Sequence, residues 1–447
     1  MISRGRRTLV GLSLGYFMVL FDTTALTVAL PELGHDLGAG LAELAWVTDA
    51  YTLAFAGSLL AAGVASDRLG APAVFTAGLA AFAALSLACA AAPSCAVLIG
   101  TRAMLGLAGA LLLPASLALV AGLHADASRR ARAIGMWASI SALALAAGPL
   151  LGGALVAASG WRGVFFVNAP VALAAALLVR GRLPDVPTRE ARIDVRGQIA
   201  VVIAVTALTW AAISGGTGRW TAPDVVAALA VTLIAAGTAV RSERTAAAPV
   251  VPAALRRAPL FAGATVGGLV VGGVLAGELF VTTLQLQQQR AFGPVLCGIA
   301  FLPLTVPMIV TPPLAGRLVA RVGPARPVLA GLGLVAAGAG VLAAVPAAAS
   351  YVWVAAGLVL LGFGVSLTLP ALTSAVVVAA PAGATGAAGG LFSVARQTGA
   401  ALGVAAAGAA LGRALAGASL AHAVLAVAAL AAGARWSRAS RRAQTAS

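Results

Sequence analysis

Three carboxyl groups and two guanidinium groups stand inside long apolar runs of this chain: Asp22, Asp49 and Glu278, with Arg102 and Arg396. An ionisable side chain at such a place is costly, so it faces a cavity or a partner. A buried carboxyl can take up a proton from one side and release it to the other as its surroundings alternate. Asp22 fits that role; the alternatives are a static ion pair or a polar anchor at a helix end. Asp22 precedes Leu30 by about 12 Å of helix, and Arg102 follows Cys95 by about 10 Å in a segment running the other way. The two groups reach similar depth, which permits pairing. A permanently charged guanidinium beside Asp22 would modulate how readily it takes a proton. Arg102 could instead tie backbone carbonyls together.

Asp49 and Glu278 lie near the outer ends of their segments. Asp49 reads as a further proton-coupling residue or as a group solvated at the interface. Glu278 precedes Thr282, Thr283 and Gln285, and could bind a cation or a second proton, or be a solvated helix end. Arg396, near the middle of its segment, should face a cavity or an acidic partner. Asp22, Tyr51, Glu278, Gln285 and Arg396 are the expected lining of a substrate cavity, whereas Gln287 to Arg290 reads as an outer loop.

The elements that position these groups follow from composition. Of 447 residues 61% are apolar and only 9% charged, with a mean hydropathy of +1.01. So few charges cannot clothe a water-soluble surface, and apolar runs of about 20 residues, enough to span a bilayer, recur along the chain. The formal charge of +16 comes from arginines without any lysine, and most stand in short connections between apolar runs. That is the bias of cytoplasmic loops, not a nucleic-acid surface. Cys89, Cys95 and Cys297 have no metal-like spacing, and His35, His124 and His422 are isolated, so packing roles are expected, with no metal, cofactor or catalytic site. Arg4 to Arg7 ahead of an apolar run resembles a leader, but the run is long, contains Asp22, and reads as a retained first helix.

Fourteen candidate segments begin near Thr8, Leu44, Pro72, Cys95, Ala131, Val164, Gly197, Ala222, Leu260, Val295, Arg326, Ser350, Ala384 and Gly417. Placing both termini inside leaves only Arg162, Arg219, Arg290 and Arg413 among the loop arginines outside. Trp46, Trp161, Trp220 and Trp353 then fall at outer edges and Trp436 at the inner edge, as interfacial anchors do. Gly63 to Gly70 and Gly316 to Gly323 share the pattern G-x-x-x-x-R-x-G at cytoplasmic helix ends, after the second and tenth segments. Two like-oriented halves with an additional helix pair between them account for that spacing.

Several strings resemble the major facilitator superfamily, in its fourteen-helix drug:proton antiporter branch. Phe21-Asp22-Thr23-Thr24 to Pro31 is similar to that branch's first-helix signature, with Phe21 and Thr27 departing from it. Trp46 to Leu53 is similar to its second-helix opening, and Gly63 to Gly70 to its cytoplasmic motif, with Ala71 and Pro72 replacing two basic residues. Arg102 to Gly106, Gly148-Pro149-Leu150-Leu151-Gly152-Gly153, Trp161 to Pro170 and Arg396-Gln397-Thr398-Gly399 complete the set. The resemblance implies an all-α integral membrane protein of two six-helix bundles plus two extra helices. The expected bundles are 1–181 and 259–447, with a basic linker and the extra pair in 182–258.

The same resemblance implies proton-coupled export of a small, partly apolar compound across the cytoplasmic membrane, by a monomer without enzymatic activity. Metabolite uniport or import by the same fold is the alternative. Its proton-coupling residues would be Asp22, Arg102, Asp49 and Glu278. Gly148, Pro149, Gly152 and Gly153 would form the antiporter motif and pivot, and Gly63, Asp67, Arg68 and Gly70 a cytoplasmic gate. Partners are then the substrate, protons and the bilayer, with no nucleic acid.

Overall fold

The computed structural model describes residues 4–411, apart from 125, 185, 187, 189–193, 216–218, 246–252, 257, 347–348 and 381–384. The expected segment from Gly417, together with Ala384, Arg413, His422 and Trp436, lies outside the described residues. Within them every regular element is helical. Hydrocarbon offers no hydrogen-bond partner to a backbone, so an apolar spanning segment must satisfy its amides internally. Among the described residues ten helical stretches are long and apolar enough to cross a membrane. A shorter apolar stretch, Leu143–Ser159, ends a longer helix.

The chain divides into two compact units. The first holds Met1–Ile193 together with Phe292–Ile299. Its helices are α1 (Arg4–Leu37), α2 (Leu41–Leu69), α3 (Ala71–Ala90), α4 (Cys95–Gly122), α5 (Ala127–Ser159), α6 (Trp161–Phe166) and α7 (Asn168–Val179). Local chemistry sets their ends. Ser94 and Asp126 cap α4 and α5 by accepting from the amides of Val97 and Arg129. Gly70, at φ +90°, reverses the chain between α2 and α3 in one residue, and Gly160, at φ +70°, does so between α5 and α6. Side chains with a Cβ rarely adopt that conformation. α1 packs along α5, and α2 along α4.

The second unit holds Asp194–Ala291 and Ala300–Ser447. It begins with a helical hairpin, α8 (Val195–Ser214) and α9 (Pro223–Thr245). Asp194 latches it: its carboxylate caps α8 at the Gly197 amide, 2.9 Å, and accepts from the Ser242 hydroxyl of α9 at 2.7 Å. After α10 (Ala253–Arg256), α11 (Pro259–Leu284) runs directly into a π-helical turn, Gln285–Gln289. The expected outer loop at Gln287 to Arg290 is therefore largely a continuation of the helix, with Gln285 and Leu286 still buried. The segment expected from Val295 is broken into α12 (Pro294–Ala300), nearly all of which belongs to the first unit, and α13 (Leu302–Val310) and α14 (Pro312–Val322) of the second. Pro294, Pro303, Pro307, Pro312 and Pro313 crowd this stretch, and each removes a backbone donor. α15 (Ala325–Ala344), α16 (Tyr351–Ala379) and α17 (Thr385–Leu411) follow.

Lipid tails give helices no hydrophobic reason to associate, so close packing over small residues must. At α11 and α17, a Cβ on Gly403 would lie 2.6 Å from the Gly273 Cα, and one on Gly399 would collide with the Leu269 carbonyl. At α15 and α16, a Cβ on Gly338 would sit 2.8 Å from the Gly357 oxygen. Of the tryptophans, Trp220 and Trp353 are exposed, as interfacial anchors require. Trp161 is not one of them, being 1% exposed with its indole N–H donating to Asp36.

Gly399→Ala is expected to cost about 1–3 kcal/mol through overpacking. Gly340→Ala, with nothing within 4 Å of the new methyl, should leave stability unchanged or raise it by up to about 1 kcal/mol. Thermal unfolding of the purified full chain in detergent reads both; equal behaviour would contradict the packing described.

Candidate functional site

The sequence brings α1, α2, α3, α4, α6 and α7 together around one buried charge pair. Asp22 and Arg102 are 0% and 1% exposed, and Nη1 of Arg102 donates to Oδ2 of Asp22. Nε of the same guanidinium donates to the Val47 carbonyl at 3.0 Å. Its plane carbon stands 4.3 Å from the Tyr51 ring centre and 5.8 Å from that of Phe165. The two sequence-level alternatives for Arg102 are thus both realised: it pairs with Asp22 and ties a carbonyl of α2.

The other carboxylate oxygen of Asp22 is met by a neutral group. Asn168 at the start of α7 donates to Oδ1 of Asp22 at 3.4 Å and to the Ser86 hydroxyl of α3 at 2.8 Å. Ser86 in turn donates to the Phe165 carbonyl at 3.0 Å. Tyr51 donates to the Val19 carbonyl at 3.1 Å, fixing its ring under the guanidinium. Glycines let the helices close in: a Cβ on Gly106 would lie 3.0 Å from the Phe55 amide, and one on Gly109 3.1 Å from the Tyr51 hydroxyl. Asn168 and Ser86 were not foreseen as site residues. Ser86 had only its polarity within an apolar run as a signal, whereas Asn168 lies in the family-like string Trp161 to Pro170.

Such a pair is neutral as a unit. A proton arriving on Asp22 would leave the Arg102 charge uncompensated in an apolar interior, where an unpaired charge costs several kcal/mol. Protonation and rearrangement of this network are therefore physically linked.

Asp49 on α2 is 0% exposed, so it is not a carboxyl solvated at the interface. Neither of its oxygens has a hydrogen-bond partner. In the second unit Glu278 is 1% exposed, again not a solvated helix end, and it shares α11 with the buried Thr282 and Thr283 and with Gln285, which opens the π turn. Arg396 is half-buried on α17, where its carbonyl oxygen faces Gly272 of α11. The five expected cavity residues thus divide, Asp22 and Tyr51 in the first unit and Glu278, Gln285 and Arg396 in the second.

The α5 glycines have defined neighbours. Cβ atoms at Gly148 and Gly152 would strike Thr24 and Ala25 of α1, the latter at 2.8 Å from the Ala25 Cα. Pro149 lies within α5 between them. Gly153 abuts residues Pro294 and Val295, which belong to the same unit. Gly298, unforeseen from the sequence, answers from the other side, its Cβ position 2.5 Å from the Pro149 carbonyl oxygen. Asp67 and Arg68 are exposed in the last turn of α2, Gly63 has open space around it, and Gly70 makes the turn into α3. Among the described residues Asp67 holds no ion pair. Cys89, Cys95 and Cys297 are buried thiols outside any disulfide.

Residues 12–404 match the sequence profile of the Major Facilitator Superfamily. The chain is 31% identical over 319 residues to the Methylenomycin A resistance protein of Bacillus subtilis (strain 168), covering 71% of this chain and 68% of that protein. It is 36% identical over 410 residues to the Tetracenomycin C resistance and export protein of Streptomyces glaucescens, covering 90% and 75%. Among solved structures, a POT family transporter in complex with a thioalcohol-conjugated peptide superposes with a TM-score of 0.74 at 14% identity, covering 97% and 96%. That likeness bears on the fold alone.

Arg102→Met leaves Asp22 buried without its cation and should destabilise the chain by about 3–5 kcal/mol. Asp22→Leu combined with Arg102→Met should recover most of that loss in a thermal double-mutant cycle. Simply additive losses would show that the two groups do not act as a pair.

Proposed function

The chain belongs to the major facilitator superfamily, and from that premise we propose that it exports a small, partly apolar compound across the cytoplasmic membrane in exchange for protons. The substrate is of the antibiotic or toxic-metabolite kind, the class that the two resistance proteins above carry in their names. The observation that carries the reading is the Asp22–Arg102 pair, buried in hydrocarbon-matched helices and surrounded by hydrogen-bonding neutral groups. A structural ion pair alone would be costlier than packed apolar side chains. A pair that must open when Asp22 takes a proton supplies a step through which the proton gradient drives rearrangement. Asp49 and Glu278 are further acids of the cycle, both buried.

Transport then proceeds by alternating access, with one membrane face open at a time. Tyr51, Gln285 and Arg396 contribute to the substrate cavity, and Gly148, Pro149, Gly152 and Gly153 to the pivot that keeps α5 close to α1. Asp67, Arg68 and the turn at Gly70 form the cytoplasmic gate. We place two additional helices, α8 and α9, between two six-helix halves, giving fourteen spans with both termini cytoplasmic and a monomeric transporter.

The test is a resistance panel in a host stripped of its own pumps, spanning cationic dyes, anionic antibiotics and neutral apolar drugs. Wild type should protect against at least one class, and Asp22→Asn, at equal membrane abundance, should lose that protection about tenfold or more. Collapsing the proton gradient should stop efflux of the same compound in everted vesicles; efflux that persists would refute proton coupling. Asp67→Asn should abolish transport without lowering the amount of protein in the membrane, and near-normal efflux would remove it from the gate.

A further inference from the structure

A cleft of about 530 Å³ opens between α3 and α7, away from the charge pair. Its walls are apolar, built by Leu79 of α3 and by Leu177 and Val179 of α7, with Thr76 beside them. Arg180 and Arg182 form its rim. α3 starts at Ala71 and α7 ends at Val179, so the cleft spans the same end of two oppositely running helices. On the orientation that the arginine distribution supports, that end is cytoplasmic.

The rim charges are available. Both arginines are exposed, and among the described residues neither holds an ion pair. Arg182 donates one N–H to the Leu178 carbonyl at 3.2 Å, which closes the end of α7 and leaves the rest of its donors free. Gly181, at φ +65°, stands between them and turns the backbone so that two cationic residues follow α7 within three positions. Thr76 gives its hydroxyl proton to the Pro72 carbonyl at 2.8 Å, so the wall below the rim offers little else polar.

We propose that this cleft binds an anionic phospholipid of the cytoplasmic leaflet, its phosphate between Arg180 and Arg182 and an acyl chain along Leu79, Leu177 and Val179. Charge complementarity argues for that occupant: two exposed guanidinium groups, neither in an ion pair among the described residues, stand at the rim of an apolar slot. Such basic pockets between helices on the cytoplasmic side suit anionic headgroups, and guanidinium groups hold phosphate oxygens in a bidentate manner. A zwitterionic lipid would bring its own cation to the same rim and lose the advantage. A soluble anion would gain nothing from the apolar slot. The binding fixes the end of α7, whose first residue, Asn168, supports Asp22.

Native mass spectrometry of the purified full chain, with phosphatidylglycerol or phosphatidylcholine added to the detergent, tests this. Wild type should retain phosphatidylglycerol in preference to phosphatidylcholine. Arg180→Gln with Arg182→Gln should weaken phosphatidylglycerol retention roughly 30-fold. Arg129→Gln with Arg130→Gln, which removes two exposed arginines at the start of α5, should leave retention unchanged. Equal retention of the two lipids by wild type would overturn the proposal without any variant. So would an equal loss in the two double variants, since the attraction would then be diffuse surface charge.

Discussion

A charge inside hydrocarbon must be compensated where it stands. In this chain the compensation of Asp22 by Arg102 determines much of what surrounds it. Arg102 reaches α1 with one nitrogen and α2 with another, and lies over an aromatic ring of α2. Asn168 and Ser86 bring α7 and α3 into the same set of hydrogen bonds. Most helices of the first unit therefore take their relative positions from one pair of ions. Because the network spans so many elements, a change in the charge of Asp22 cannot stay local. That is the property a coupling device needs, and an inert core lacks.

Holding helices that close requires surfaces without bulk. The motif glycines of α5 seat α1, Gly106 and Gly109 seat α2 against α4, and Gly399 and Gly403 seat α17 against α11. Packing of this kind stabilises by contact area alone, since the surrounding lipid is as apolar as the side chains. Helices joined over backbone can shift along one another with little loss of side-chain interlocking. The same choice of residues thus gives cohesion and permits sliding.

Much of this was legible in the sequence, for reasons that differ by residue. Asp22 and Arg102 could be matched by depth because both lie a countable number of turns from a segment end. Asp49 and Glu278 were located but not their burial, since depth along a helix says nothing about which way a side chain is covered. Gln287 to Arg290 looked like a loop because polarity was the only guide, whereas α11 extends through a π turn. Trp161 carries the composition of an interfacial anchor, yet its N–H is held by Asp36, a partner distant in sequence. The prolines that divide α12, α13 and α14 interrupt an apolar run that composition alone reads as one segment. Gly298 had no signal of its own, because its meaning lies in Pro149.

The short stretch Phe292–Ile299 belongs with the first unit, although α8 through α11 come between in the chain. The ribosome therefore releases the last piece of the first unit only after all of the intervening helices have been made. Until then the face of α5 at Gly153 lacks its native cover, and lipid or the insertion machinery must shield it. Maturation of this protein cannot be a simple relay in which one half is finished before the next begins. A chain ending before Phe292 would leave the first unit without its last segment.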